Sequence, residues 1–123
     1  MYSAIVKEHF RNPRNAGQME CPDGVGTAGT PGSGNYLVIE VRLQGGVVES
    51  ARFQTYGCPG AIACGSCLTD WITGLSVEEA KAIEADQLAA RLGGLPLGKA
   101  HCAALAVAAL REALADAARR AVG

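Results

Sequence analysis

Two short stretches carry the residue types that perform sulfur or metal chemistry. In Thr55-Tyr-Gly-Cys58-Pro59 a cysteine precedes a proline suited to the first turn of a helix. In Lys99-Ala-His101-Cys102 an imidazole and a cysteine stand immediately before an alanine-rich amphipathic run. A thiol just ahead of a helix faces unpaired N–H groups and the positive end of the helix dipole, so both cysteines are expected to favour the thiolate. Thiolate and imidazole together are the ligand set of zinc and of iron–sulfur clusters. Such sites normally take about four ligands. Cys58, His101 and Cys102 are the strong candidates, with Ser33, Asn35 and Cys64 as weaker ones. Cys64-Gly-Ser-Cys67 matches the CxxC spacing, but glycine inside a helix and apolar neighbours make Cys67 a small buried residue instead.

Composition narrows the setting. The chain has 123 residues, which predicts one domain over 1–123 with a single core. Lys and Arg number 11 against 12 Asp and Glu, with no basic block, so nucleic acid is not the expected partner. No apolar run approaches the roughly 20 residues of a membrane span, and the first residues lack the apolar core of an export signal. A cytoplasmic protein is the expectation. Five cysteines in such a compartment favour free thiols, metal ligands or reactive sulfur over a disulfide frame.

The elements that must position these residues are legible in the pattern. Ser3 caps a first helix carrying Ile5, Val6 and Phe10 at helical spacing and ending near Asn12-Pro13. His9 on that helix reads as an ordinary surface or capping histidine. Residues 17–34 are loop, rich in Gly, Pro, Ser and Thr, with one weak edge strand near Val25–Thr30. Leu37, Ile39, Val41 and Leu43 alternate with polar or smaller residues, Gln44-Gly45-Gly46 turns, and a partner strand returns with Val47, Ala51 and Phe53 on one side. A buried helix follows from Pro59, with Ile62, Leu68, Trp71 and Ile72 inward; Gly60 and Gly65 require close packing there. Ser76-Val-Glu-Glu79 is a capping box opening a helix to about Ala85, and Asp86 can cap another. Leu95 to Lys99 reads as an exposed linker. The last helix turns Leu105, Ala109, Leu110 and Leu114 inward and a charged stripe, with Asp116 and Arg120 paired, toward solvent. The fold class is α+β, a small antiparallel sheet of about three strands packed against helices.

Over nearly its whole length the chain resembles the iron–sulfur cluster assembly scaffolds of the IscU/NifU type. The likeness rests on Phe10-Arg-Asn-Pro-Arg-Asn15, Phe53-Gln-Thr-Tyr-Gly-Cys58 with Ala61-Ile-Ala, Trp71-Ile-Thr-Gly-Leu-Ser76 with Glu79-Ala, and Lys99-Ala-His101-Cys102. It implies a small antiparallel sheet on helices. It also implies a scaffold, not an enzyme, on which a [2Fe–2S] cluster is built from iron and from sulfur supplied by a cysteine desulfurase. Client apo-proteins then receive the cluster.

The family site has three cysteines, an aspartate and a histidine. By the resemblance the second cysteine falls on Cys58, the histidine on His101, and the third cysteine, which can accept persulfide, on Cys102. The first cysteine and the aspartate fall on Ser33 and Asn35, in Pro31-Gly-Ser33-Gly-Asn35. Two anionic ligands thus become neutral ones, and weaker iron binding is expected. Leu95-Pro-Leu-Gly-Lys99 departs from the family's chaperone motif, so hand-off to an Hsp70-type chaperone is not carried over.

The leading expectation is a divergent scaffold holding iron or a [2Fe–2S] cluster through Cys58, His101 and Cys102, with zinc as an occupant of the apo form and a monomer or weak dimer as the assembly. Two other readings stand beside it. One is a zinc-bound or metal-free docking module of the same fold. The other is a sulfur carrier in which Lys99 and His101 activate Cys102.

Overall fold

The computed structural model describes residues 2–30, 32 and 34–122; Pro31 and the candidate Ser33 lie outside the described residues. Elements follow in the order α1 (Ala4–Arg11), β1 (Gly24–Gly29), β2 (Tyr36–Gln44), β3 (Val47–Tyr56), α2 (Pro59–Ile72), α3 (Val77–Lys81), α4 (Ala85–Arg91) and α5 (Ala100–Val122). The strands form one antiparallel sheet in the order β1-β2-β3. Helices α2 and α5 cover one face, α5 lying over β1 and β2 and α2 over β3. Among the described residues no helix is long and apolar enough to cross a membrane.

The α5–β1 layer is held close by small residues on both sides. A Cβ at Gly26 would lie 2.1 Å from the Ala109 carbonyl, and one at Gly24 equally close to the Ala113 carbonyl. Glycine on the strand and alanine on the helix therefore let backbone approach backbone. The charged stripe of α5 also does more than meet solvent, correcting the sequence expectation. Asp116 accepts the edge N–H of Val25 at 2.9 Å, and Arg120 donates to the Pro22 carbonyl at 3.2 Å. The expected Asp116–Arg120 pair is present at 3.0 Å. This fastens the outer edge of β1, which its own glycines would hold weakly.

Leu37, Ile39 and Val41 are buried as their alternation predicts, but the return strand differs by one position. A register shift at Arg42/Leu43 pairs Arg42 with Ser50 and Leu43 with Val48. Glu49 is the extra residue, and it sends Val48 inward and leaves Val47 38% exposed. Strict alternation had assigned Val47 to the core face; a bulge inverts that parity and leaves Ala51 and Phe53 where expected.

Helix α2 is buried on nearly all sides, so the inward stripe expected from its large residues understates it: Ala61, Ala63, Cys64, Ser66, Cys67 and Thr69 are buried too. Gly65 packs against the Phe53 ring, which a Cβ there would meet at 2.4 Å. Buried Ser66 joins α2 to α1: its hydroxyl accepts the Arg14 N–H at 2.8 Å and meets His9 Nδ1 at 2.7 Å. His9 is therefore a tie between elements and not an ordinary surface residue. Its pKa is lowered by burial and by the Arg14 guanidinium.

Along α1, Ser3 is the cap as predicted, but only Val6 is buried, with Ile5 and Phe10 exposed. The Ser76–Glu79 capping box is formed, and α3 ends at Lys81, before Ala85. The next cap is Glu84, reciprocated by Gln87, with Asp86 inside the first turn. Leu105 on α5 is half-buried, not fully inward.

Candidate metal centre

Three segments meet at one rim: the turn before β2, the β3–α2 junction, and the start of α5. Cys58 is the N-cap of α2 with extended backbone (φ −79°, ψ 170°), and Pro59 occupies the first turn. His101 and Cys102 lie inside the first turn of α5, which starts at Ala100, one step earlier than the sequence suggested. Gly57 leaves room for the Asn35 carboxamide, since a Cβ there would lie 2.2 Å from Asn35 Oδ1.

The contacts among these residues form a compact polar knot. Cys58 Sγ and Cys102 Sγ are 3.7 Å apart, and Cys102 Sγ is 3.7 Å from His101 Nε2. Asn35 Oδ1 accepts the Cys58 N–H at 3.2 Å. Its NH2 group faces inward, 3.1 Å from His101 Nε2 and 3.8 Å from each sulfur. That donor requires His101 Nε2 to be the unprotonated ring nitrogen, the form that binds metal. Among the described residues no three Cys, His, Asp or Glu side chains close into a ready ion site. Cys58 and His101 meet instead through Cys102 and Asn35.

The two thiols are electrostatically unlike. Burial alone would raise the Cys58 pKa, but the Ala61 N–H, the Cys102 thiol, the Tyr2 hydroxyl and the Gly60 N–H outweigh it and hold the group at about 7. Cys102 is fully buried. That burial, with the hydrogen bond and charge of Cys58 opposed only by Lys99, pushes it up to about 12. The expectation of two thiolate-prone cysteines therefore holds for Cys58 and fails for Cys102. A helix start favours the anion only where the sulfur still reaches solvent or donors.

Cys64 is fully buried on α2, and burial followed by the nearby thiols raises its pKa. Cys67 is a buried thiol of the same kind, as expected, and all five cysteines are free. Tyr2 was not among the sequence candidates. Its hydroxyl helps to lower the Cys58 pKa, and its ring lies with the Cys102 sulfur over Gly60, 3.4–3.5 Å from where a Cβ would sit. No spacing links Tyr2 to either cysteine; the contact arises from packing across the fold.

The sulfurs are placed for a metal even so. Two sulfurs each about 2.3 Å from one tetrahedral ion lie roughly 3.8 Å apart. The Cys58–Cys102 separation of 3.7 Å matches that edge without movement. Asn35 fits a different role: while Oδ1 holds the Cys58 N–H, only its NH2 faces the knot, and an amide NH2 has no lone pair to give.

The family model described as NifU-like N terminal domain matches residues 1–122. The chain is 47% identical over 116 residues to iron-sulfur cluster assembly scaffold protein IscU 1 of Archaeoglobus fulgidus, covering 94% of this chain and 76% of that protein. It is 42% identical over 119 residues to the IscU scaffold of Haemophilus influenzae, covering 94% of each. Among solved structures, a NifU-like protein (N-terminal) from Brucella abortus superposes with a TM-score of 0.75 at 17% identity, over 95% of this chain and 94% of that one. A putative SUF-system scaffold from Fervidobacterium islandicum gives 0.73 at 18% identity, over 92% and 96%. At those identities the structures show the fold alone, and it is the α+β sheet-on-helices arrangement described above. By the family model and the relatives above 40% identity, the chain belongs to the NifU-like N-terminal domain family.

Proposed function

We propose that this protein is an iron–sulfur cluster assembly scaffold that holds iron or a [2Fe–2S] cluster through Cys58, Cys102 and His101 and passes it to client apo-proteins. The observation that carries the reading is the Cys58–Cys102 pair at 3.7 Å with the His101 imidazole 3.7 Å from Cys102. His101 is exposed on the first turn of α5. The relatives that carry the scaffold name support the same assignment.

In this reading the cluster is cargo. The chain binds and releases it; sulfur comes from a cysteine desulfurase, and the chain catalyses no reaction of its own. Free thiols suit a reducing compartment such as the cytoplasm. Cys58 is the thiol ionised near neutral pH, so it engages iron first, and the buried Cys102 gives up its proton as the cation arrives. A sulfur carrier centred on Cys102 is less well supported, because that thiol stays protonated at rest. Zinc in the apo form would use the same sulfur edge.

The test is anaerobic reconstitution with iron and sulfide, read by visible absorption. The wild type should develop sulfur-to-iron charge-transfer bands, and Cys58→Ala and Cys102→Ala should each abolish them. Full iron and sulfide retention in either variant would defeat the ligand assignment.

A further inference from the structure

β3 is an edge strand whose outer side is covered piecemeal. Near its start Val48 exchanges hydrogen bonds with Gly74 and Leu75. In its middle the Phe53 N–H donates to the Asn15 carbonyl and the Phe53 carbonyl accepts the Gly17 N–H, both at 2.9 Å, a short parallel bridge. Phe53 thus points its backbone groups away from β2. In an antiparallel ladder that alternation repeats every second residue, so Thr55, opposite Leu37, points its N–H and C=O outward as well.

The covering chain does not follow that far. Gly17 (φ +124°) turns it away, and the Met19 N–H goes to Glu40 Oε1 on β2 at 3.1 Å. The backbone N–H and C=O of Thr55 therefore have no backbone partner on that side among the described residues. Beside them opens a cleft of about 660 Å³ whose lining, including Ala16, Tyr36, Phe53, Tyr56 and Ile62, carries no charged side chain.

We infer that this open edge seats an extended, cysteine-bearing segment of an acceptor protein, which pairs with Thr55 in continuation of Asn15–Gly17 and runs toward Cys58. The inference rests on the scaffold reading above. An unpaired N–H beside an unpaired C=O selects an extended backbone, and an uncharged cleft selects small or apolar side chains. A strand parallel to β3 advances about 10 Å over three residues, the sequence distance from Thr55 to Cys58.

Among the described residues the knot brings together two thiols and one imidazole, one short of the about four ligands such sites take. Asn35 shows the knot an NH2 and no anionic oxygen, so an incoming thiolate completes the ligand set. The step is a ligand exchange: the acceptor thiol loses its proton to solvent, its sulfur forms a bond to iron, one iron–sulfur bond to the scaffold breaks, and no electrons are transferred.

Two measurements test this. Thr55→Pro removes the outward N–H and no backbone β2–β3 hydrogen bond, and proline is tolerated on such an edge. Because it also removes the Thr55 hydroxyl that donates to the Tyr36 carbonyl, Thr55→Val, which keeps the N–H, is the control and should transfer as the wild type does. Chemically reconstituted Thr55→Pro should hold its cluster as the wild type does but transfer it to a four-cysteine apo-ferredoxin roughly tenfold more slowly, as expected for losing edge hydrogen bonds. On the metal-free wild type, the capped peptide acetyl-Thr-Val-Thr-Gly-Gly-Cys-amide should shift the amide resonances of Thr55, Tyr56 and Gly57 and slow the exchange of the Thr55 amide.

Unchanged transfer by Thr55→Pro, or a peptide that leaves those amides unmoved, overturns the docking edge while leaving the scaffold reading intact. A wild type that forms no cluster defeats the scaffold reading, and the peptide titration then decides the edge by itself.

Discussion

The carboxamide of Asn35 holds Cys58 from both ends: its oxygen accepts the Cys58 N–H at 3.2 Å while its NH2 lies 3.8 Å from the Cys58 sulfur. A carboxylate in the same place would keep the first bond and turn a second oxygen, not a donor, to the thiols and His101. Asn35→Asp is therefore expected to tighten ferrous iron or zinc binding by about tenfold, the effect of one well-placed anionic contact worth roughly 1.4 kcal/mol. Titration of the apo-protein with either metal measures it. Unaltered affinity would mean that residue 35 never reaches the ion.

The low Cys58 pKa has a reactivity consequence. Its folded value of about 7 lies below the ordinary 9.0, so the thiolate is populated at neutral pH. Carboxamidomethylation of Cys58 should rise with pH around a midpoint near 7, while Cys102 stays unreactive throughout the neutral range. Removing the Tyr2 hydroxyl in Tyr2→Phe removes one stabilising donor and should move the Cys58 midpoint upward. Peptide mass spectrometry after timed alkylation reports both residues, and an unshifted midpoint would remove Tyr2 from the site.

His9 gives a second, metal-independent pH signature. Its folded pKa is below the ordinary 6.5, so the unfolded chain binds the proton more readily. The stability this contributes is present above about pH 6.5 and is lost as the pH falls below that value toward the folded pKa. His9→Gln should flatten that part of the stability profile in denaturant titrations. Ser66→Ala, which leaves the Arg14 N–H unpaired and His9 Nδ1 with only the Arg14 guanidinium at 3.4 Å, should cost about 1–3 kcal/mol.

The α5–β1 seam makes the sharpest stability prediction. With 2.1 Å between a new Cβ and the Ala109 carbonyl, Gly26→Ala must push α5 off the sheet. A loss of about 3 kcal/mol is expected. Because α5 carries His101 and Cys102, metal binding should weaken in the same variant. A thermal melt within a degree or so of the wild type would contradict the close contact.

The contrast among these residues explains what the sequence could and could not reveal. Cys58, His101 and Cys102 were legible because each sits at a helix start that local signals mark, Pro59 for one and the alanine-rich run for the other. The antiparallel meander was legible because Leu37, Ile39 and Val41 alternate cleanly. Val47 was misplaced because a bulge at Glu49 changes parity, and nothing local in Val47-Val48 announces it. Tyr2, Ser66 and Asp116 were missed as structural ties because their partners are remote in the chain: Asp116 reaches Val25 across 91 positions. The Cys102 pKa was misjudged because helix position is local while burial is a tertiary property.

The most direct test of the central claim is iron, acid-labile sulfide and zinc per chain after anaerobic reconstitution in the presence of competing zinc. Iron and sulfide are expected in matched, near-stoichiometric amounts, lost together when Cys58 is replaced by alanine. Tightly held zinc without sulfide, or no metal at all, would contradict it, leaving the fold as a binding module without cluster assembly.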